Sequence, residues 1–137
     1  MAKNPEALVE LPGQHEFVYE STDQANFVKK LMQILDENLD REDLNTTFIA
    51  EQMNISLRQY YRKFKEMSTL SSTDFIKKYR IERAARLLVE TDAPVQEIIE
   101  SVGIQSRSYF YKEFSARFGC TPKAYQKQMQ VNTKKVE

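Results

Sequence analysis

A fifty-residue echo constrains this chain more than any other feature. Ser106, Phe110, Phe114, Thr121 and Tyr125 repeat, fifty positions on, the residue types at Ser56, Tyr60, Phe64, Ser71 and Phe75. Ahead of Ser56 and Ser106 the offset is forty-nine, pairing Ile49 with Ile98, Met53 with Val102 and Asn54 with Gly103. One residue has therefore been inserted in the second turn. A period this long, carrying helix and turn signals in register, marks a duplicated supersecondary unit, and two copies are too few for a solenoid.

The units can be read by taking the chain in order. Residues 1–20 hold two of the four prolines and no helical period. They read as an acidic lead-in that either follows another domain or frays as a terminus, and His15 within it reads as solvated. From Ser21, with Gln24 three residues on, a capping box precedes Phe27, Val28, Leu31, Met32, Leu35 and Leu39 at helical spacing. Thr46 or Thr47 is expected to cap a short helix that stops at Asn54, where a sharp turn calls for the left-handed conformation. Gly103 meets the same backbone demand in the second copy.

Ser56 then caps a helix with two faces: Tyr60, Phe64 and Met67 inward, Arg58, Tyr61, Arg62 and Lys65 outward. Ser71, with Asp74 at N3, opens a long joining helix. Phe75, Ile76, Tyr79, Ala84, Leu87 and Leu88 are expected inward on it, and Lys77, Lys78, Arg80, Arg83 and Arg86 mostly outward. The second copy repeats the two faces. Phe110, Phe114 and Phe118 lie on one side, and Arg107, Ser108, Tyr111, Lys112 and Ser115 on the other. Thr121 followed by Pro122 starts a last helix expected to run to about Met129. The expected organisation is a lead-in (1–20), a first unit (21–70), a joining helix (71–91), a second unit (92–129) and a frayed tail (130–137).

Composition narrows the classes. Three glycines, four prolines and no long β-branched alternation in 137 residues point to an all-α build. No run approaches the ~20 apolar residues of a membrane span and no signal peptide is evident, so a cytoplasmic location without direct membrane contact is expected. One cysteine and one histidine cannot furnish an ordinary zinc site. Cys120 aligns with Leu70 and reads as a small buried apolar residue. The zero net charge conceals a division: residues 1–55 carry four Lys/Arg against eleven Asp/Glu, and residues 56–137 carry sixteen against nine. Such asymmetry is the mark of a chain whose one part meets a polyanion.

A short helix, a tight turn and a longer helix with a basic outer face form the outline of a helix-turn-helix, whose second helix enters the major groove. Two copies strengthen that reading. The joining helix, about 18 residues or about 27 Å long at 1.5 Å per residue, suits two units seated in successive major grooves about 34 Å apart.

The motifs IAEQMNIS and YYRKFK, FIKKYRIERAARLL, and above all EIIESVGIQSRSYFYKEFSARFGCTPKAY resemble the DNA-binding domain of AraC/XylS-type transcription regulators, over roughly Phe27 to Gln126. Within that family the chain looks most like the output domain that ends bacterial hybrid two-component sensors. The resemblance implies about seven helices in two homeodomain-like helix-turn-helix subdomains joined by a rigid helix. It implies double-stranded DNA as the ligand, RNA polymerase and an upstream receiver or sensor as partners, a place at the cytoplasmic end of a membrane-bound sensor in some arrangements, and no cofactor or small-molecule ligand in this segment.

Carried over by position, Arg58, Tyr61 and Arg62 face DNA in the first unit and Arg107, Ser108, Tyr111 and Lys112 in the second. Lys65 joins them on the cationic face. Ser56 and Ser106 stand at helix N-termini suited to phosphate. Arginine can pair with guanine, and the tyrosines can meet a thymine methyl or a phosphate. The chain departs from the family pattern at Asn54, Tyr60, Thr69 and Ile99, where glycine, leucine, glycine and alanine are usual. Arg80 and Arg83 match basic family positions and are expected on phosphate or on acidic side chains.

No convergent acid, base or nucleophile is present, so an enzyme is not expected. The alternative to DNA binding is a helical protein-interaction module. A steep loss of affinity with salt would separate the first from the second.

Overall fold

The computed structural model describes residues 17–136, with side chains through 131; His15 and most of the lead-in lie outside that range. Seven helices follow in order among the described residues: α1 (Thr22–Asn38), α2 (Thr46–Gln52), α3 (Leu57–Met67), α4 (Ser72–Glu90), α5 (Val95–Ser101), α6 (Arg107–Phe118) and α7 (Pro122–Val136). No strand occurs among them. The chain forms two compact units. The first holds the described residues up to Asn38 together with Asp43–Tyr79, and the second holds Leu39–Glu42 and everything from Arg80 on, so the division falls inside α4.

Local chemistry explains most helix starts. Ser21 Oγ accepts from Gln24 N at 3.1 Å, while Gln24 Oε1 reaches back one residue beyond the cap to accept from Glu20 N at 2.8 Å. Ser71 and Thr121 cap α4 and α7 through Asp74 N and Ala124 N, each at 3.1 Å. The expected threonine cap on α2 is not used. Asn45, extended at φ −141°, accepts from Phe48 N at 2.8 Å through its amide oxygen. Asn is at least as good a cap as Thr, and its use here frees Thr46 to begin the helix and bond elsewhere.

The core of the first unit is aromatic. Tyr60, Phe64, Phe75 and Tyr79 are buried with Leu31, Leu35 and Ile49, and the rings meet at centroid distances of 5.8–5.9 Å along Tyr60–Phe64–Phe75–Tyr79. Such pairs add ~0.5–1.5 kcal/mol each beyond area burial. Two of these rings bring a hydroxyl inside, and both hydroxyls are satisfied. Tyr60 shares a 2.7 Å hydrogen bond with Ser72 Oγ, and Tyr79 donates to Asp36 Oδ1. Ser72, 3% exposed, is the buried polar residue that makes a tyrosine tolerable where a leucine would need no partner. Burial pushes the Tyr60 phenol up to about 12.

In the second unit Phe110 and Phe114 are buried with Ile98, Ile99, Val102 and Leu88, and Phe114 packs on Phe118 and edge-on to Tyr125. Ile99 is fully buried, as is its counterpart Ala50 in the first unit.

Several expectations need correction. The tail expected to fray after Met129 continues as helix to Val136, and Gln130 is anchored there. Its Nε2 donates to the Leu88 and Thr91 carbonyls at 3.1 and 2.8 Å, and Gln126 Nε2 donates to those of Thr91 and Ala93. Two glutamines one turn apart thus satisfy the Leu88 carbonyl in the last turn of α4 and the Thr91 and Ala93 carbonyls of the connection to α5. Cys120 is half-exposed rather than buried, as is Leu70 at the matching position. Along α4, Leu87 is only half-buried while Ile81 and Ala85 are buried instead.

Candidate nucleic-acid interface

Each unit contains a short helix, a tight turn and a longer helix: α2 and α3 in the first, α5 and α6 in the second. The two turns share a left-handed residue, Asn54 at φ 57° and Gly103 at φ 74°. Gly103 carries a second demand that Asn54 does not. A Cβ there would collide with the Leu39 carbonyl and come within 2.5 Å of the Arg80 guanidinium. Asparagine tolerates a positive φ but cannot shed its Cβ, so it can serve only the more open turn.

Arg80 is the reason for the crowding. It was expected to face outward to phosphate or to an acidic side chain. It lies half-buried instead and donates to two backbone carbonyls, those of Gly103 and Arg41, the latter at 3.1 Å. All three residues belong to the second unit, where the guanidinium fork ties the 39–42 segment to the α5–α6 turn. Desolvation pulls the Arg80 pKa down, yet the residue remains a cation. No local signal in the sequence marks it, because both acceptors are main-chain groups distant in the chain.

The two longer helices start alike. Ser56 Oγ accepts from Gln59 N at 3.1 Å, and Gln59 Oε1 accepts from Ser56 N at 3.0 Å, a complete capping box. Ser106 Oγ accepts from Tyr109 N at 3.1 Å, and Tyr109 cannot return the bond. The hydroxyl acceptors of Ser56 and Ser106 are therefore engaged in capping, while both residues remain exposed.

On α3, Arg58, Tyr61, Arg62 and Lys65 are all exposed; on α6, Arg107, Ser108 and Lys112 are exposed and Tyr111 is half-buried. The inner-face residues Tyr60, Phe64, Phe110 and Phe114 are buried. Facial division from sequence and burial in the structure agree at these inner positions, but Phe118, expected inward with Phe110 and Phe114, is only half-buried.

The two tyrosines are held differently. The Tyr61 hydroxyl shares a 2.9 Å hydrogen bond with Thr46 Oγ1, although the side chain stays 47% exposed. Tyr111 lies under the Arg107 guanidinium, 5.3 Å from carbon to ring centroid. Thr46 was missed as a site residue because its contact partner is fifteen residues away. Among the described residues no side-chain hydrogen bond or ion pair engages Arg58, Arg62, Lys65 or Lys112. Arg117, farther along α6, pairs with Glu82 at 3.6 Å.

Among the described residues no helix is long and apolar enough to cross a membrane, and no group of three or more His, Cys, Asp or Glu is placed to hold a metal.

Comparison with known proteins decides the family, since the model described as "Helix-turn-helix domain" matches residues 49–128, more than half of the chain. The chain belongs to the AraC-type helix-turn-helix family. As a member it is a sequence-specific DNA-binding domain of transcription regulation. It is 29% identical over 111 residues to a protein named Histidine kinase P4 of Formosa agariphila, and 30% identical over 102 residues to the HTH-type transcriptional regulator MtrA of Neisseria gonorrhoeae. These matches cover 81% and 73% of this chain but span only 8% and 34% of those proteins.

Among solved structures it resembles the C-terminal domain of AraT, a response regulator from Geobacillus stearothermophilus. The TM-score there is 0.61 and the identity 31%, over 74% of this chain and 84% of that one. The DNA-binding domain of AdpA, solved with a target DNA, shares the fold with a TM-score of 0.62 at 23% identity, over 77% of this chain and 94% of that one.

Proposed function

We propose that the chain is the DNA-reading part of a longer bacterial signalling protein and that each unit offers one recognition helix, α3 or α6, to a major groove of the operator. One observation carries the reading. At positions repeated fifty residues apart, the outer faces of α3 and α6 are exposed, mostly cationic and, among the described residues, largely unpartnered, while Tyr60, Phe64, Phe110 and Phe114 on the inner faces are buried. A face free of intramolecular ion pairs is available to phosphates and base edges.

Arg58, Arg62 and Arg107 are assigned to base edges, where the guanidinium fork fits the O6/N7 pair of guanine. Tyr61 and Tyr111 are assigned to thymine methyl groups or phosphates. Lys65, Lys112 and Ser108 are assigned to the backbone, with the α3 and α6 N-termini at Ser56 and Ser106 beside it. The likeness to a histidine kinase and to a response-regulator domain supports a two-component setting. That setting makes receiver or sensor portions of the same protein, and RNA polymerase, the protein partners, and the cytoplasm the working compartment.

The test is selection of bound sites from a random duplex pool, followed by measurement on the winner. Two half-sites about one helical turn apart are expected. Arg58→Ala and Arg107→Ala should each cost on the order of 1–3 kcal/mol on the selected site and much less on random DNA. No enrichment, or a salt dependence close to flat, would sink the proposal in favour of a protein-docking module.

A further inference from the structure

The two recognition helices end differently, and the difference has a partner in the lead-in. α6 runs to Phe118 and stops on Gly119, which is left-handed at φ 74° and donates its N–H to the Ser115 carbonyl. α3 has Thr69 at the matching position. A β-branched residue adopts that conformation at high cost, and Asn54 is the one non-glycine residue with positive φ among those described. α3 accordingly stops one residue sooner, at Met67, with Ser68 extended at φ −140°, ψ 144°. A helix ending this way lacks the left-handed cap that would turn N–H groups back onto its last carbonyls.

The missing donor comes from outside the helix. Val18 N donates to the Met67 carbonyl at 2.8 Å. Beside it Phe17 is 6% exposed, its ring edge-on to Phe64 of α3 at 5.4 Å and to Phe75 of α4 at 4.8 Å. The Val18 side chain is 74% exposed, so this residue contributes its backbone and Phe17 contributes the packing. Residues expected to form the end of a linker are thus part of the first unit, outside the 49–128 segment that the family model matches.

We propose that Phe17 and Val18 are positioning residues for the first recognition helix: they cap and brace the last turn of α3, from which Lys65 projects, in place of the left-handed glycine that α6 possesses. Whatever precedes Phe17 in the chain is thereby joined directly to the end of α3. The consequence for DNA rests on the function proposed above; the cap itself can be measured without DNA.

The experiment uses the full chain and the variants Val18→Pro, which removes the donor at an exposed side chain, Phe17→Ala and Phe17→Leu. In DNA-free hydrogen exchange, Val18→Pro and Phe17→Ala should speed exchange of the Met67 and Ser68 amides about tenfold, the equivalent of one lost hydrogen bond. The last turn of α6 should be unchanged. Phe17→Leu should stay near wild type, and Thr69→Gly added to Val18→Pro should restore protection by giving α3 its own cap. On selected DNA, Val18→Pro should weaken binding about tenfold where only the first unit's half-site is intact, and hardly at all where only the second's is.

Unchanged exchange at the end of α3 in both Val18→Pro and Phe17→Ala, or equal loss at both half-sites, would overturn the proposal. Wild-type chain that binds no DNA selectively would count against the function proposed above and leave the exchange result to decide this one.

Discussion

Replacing Gly103 by alanine tests the asymmetry between the two turns. At φ 74° any L side chain carries the left-handed penalty of roughly 1–2 kcal/mol. The added Cβ also meets the Leu39 carbonyl and the Arg80 guanidinium, so the 39–42 segment or Arg80 must move. Moving Arg80 weakens its hydrogen bonds to the Gly103 and Arg41 carbonyls. Bonds from a charged donor contribute about 1.5–3 kcal/mol when well formed, and a half-exposed pair sits toward the lower end. Together these give an expected loss of about 3–5 kcal/mol, a large share of the 5–15 kcal/mol typical of a domain.

Asn54→Ala is the control. It keeps the backbone penalty, forfeits asparagine's tolerance of that conformation and disturbs no equivalent clamp, so about 1 kcal/mol is expected. Urea unfolding followed by far-UV circular dichroism suits a chain that has no tryptophan. Coupling would show in a double-mutant cycle: in an Arg80→Ala background, where one of the two obstacles is gone, Gly103→Ala should cost at least about 1 kcal/mol less than in the wild type. The reasoning is refuted if Gly103→Ala costs no more than Asn54→Ala, or if its effect adds to that of Arg80→Ala without interaction.

Other outcomes follow from single contacts. Tyr60→Phe should destabilise the first unit by about 1–3 kcal/mol because Ser72 Oγ loses its buried partner, and adding Ser72→Ala should recover most of that loss in the same unfolding assay. The Tyr60 phenol, raised from 10.0 to about 12 by burial, stays protonated in the folded state at pH values that ionise it when unfolded. Its contribution is therefore fully present below pH 10 and is lost as pH rises toward 12, by about 2–3 kcal/mol at the top of that window. Tyr60→Phe should flatten that part of the stability profile. Asn45→Ala should cost about 1 kcal/mol as the true cap of α2, whereas Thr46→Ala should leave stability nearly unchanged and instead free the Tyr61 hydroxyl, visible as a changed affinity for selected DNA in a binding titration.

Local pattern made much of this molecule legible in its sequence. Helical spacing of Tyr60, Phe64, Phe110 and Phe114 identifies the buried faces, and the same 3.6-residue period assigns Arg58, Arg62, Arg107 and Lys112 to the exposed ones. Caps at Ser21, Ser56, Ser71, Ser106 and Thr121 are equally local, since a hydroxyl and an N–H three residues on need no other part of the chain. Asn54 and Gly103 announce their turns for the same reason.

What lay beyond the sequence depends on groups brought together from far along the chain. Arg80 reads as one more outward cation until the Gly103 and Arg41 carbonyls, 23 and 39 residues away, are placed around it. Phe17 looks like linker until Phe64 and Phe75 close over it, and Val18 has no visible task until α3 ends one residue early. The choice of Asn45 over two neighbouring threonines turned on which side chain faced the open N–H groups. Periodicity and capping therefore determined which residues form helices and which faces they hide. Tertiary packing alone decided how each helix is held, because backbone carbonyls and buried rings carry no mark in the sequence of the partner they will meet.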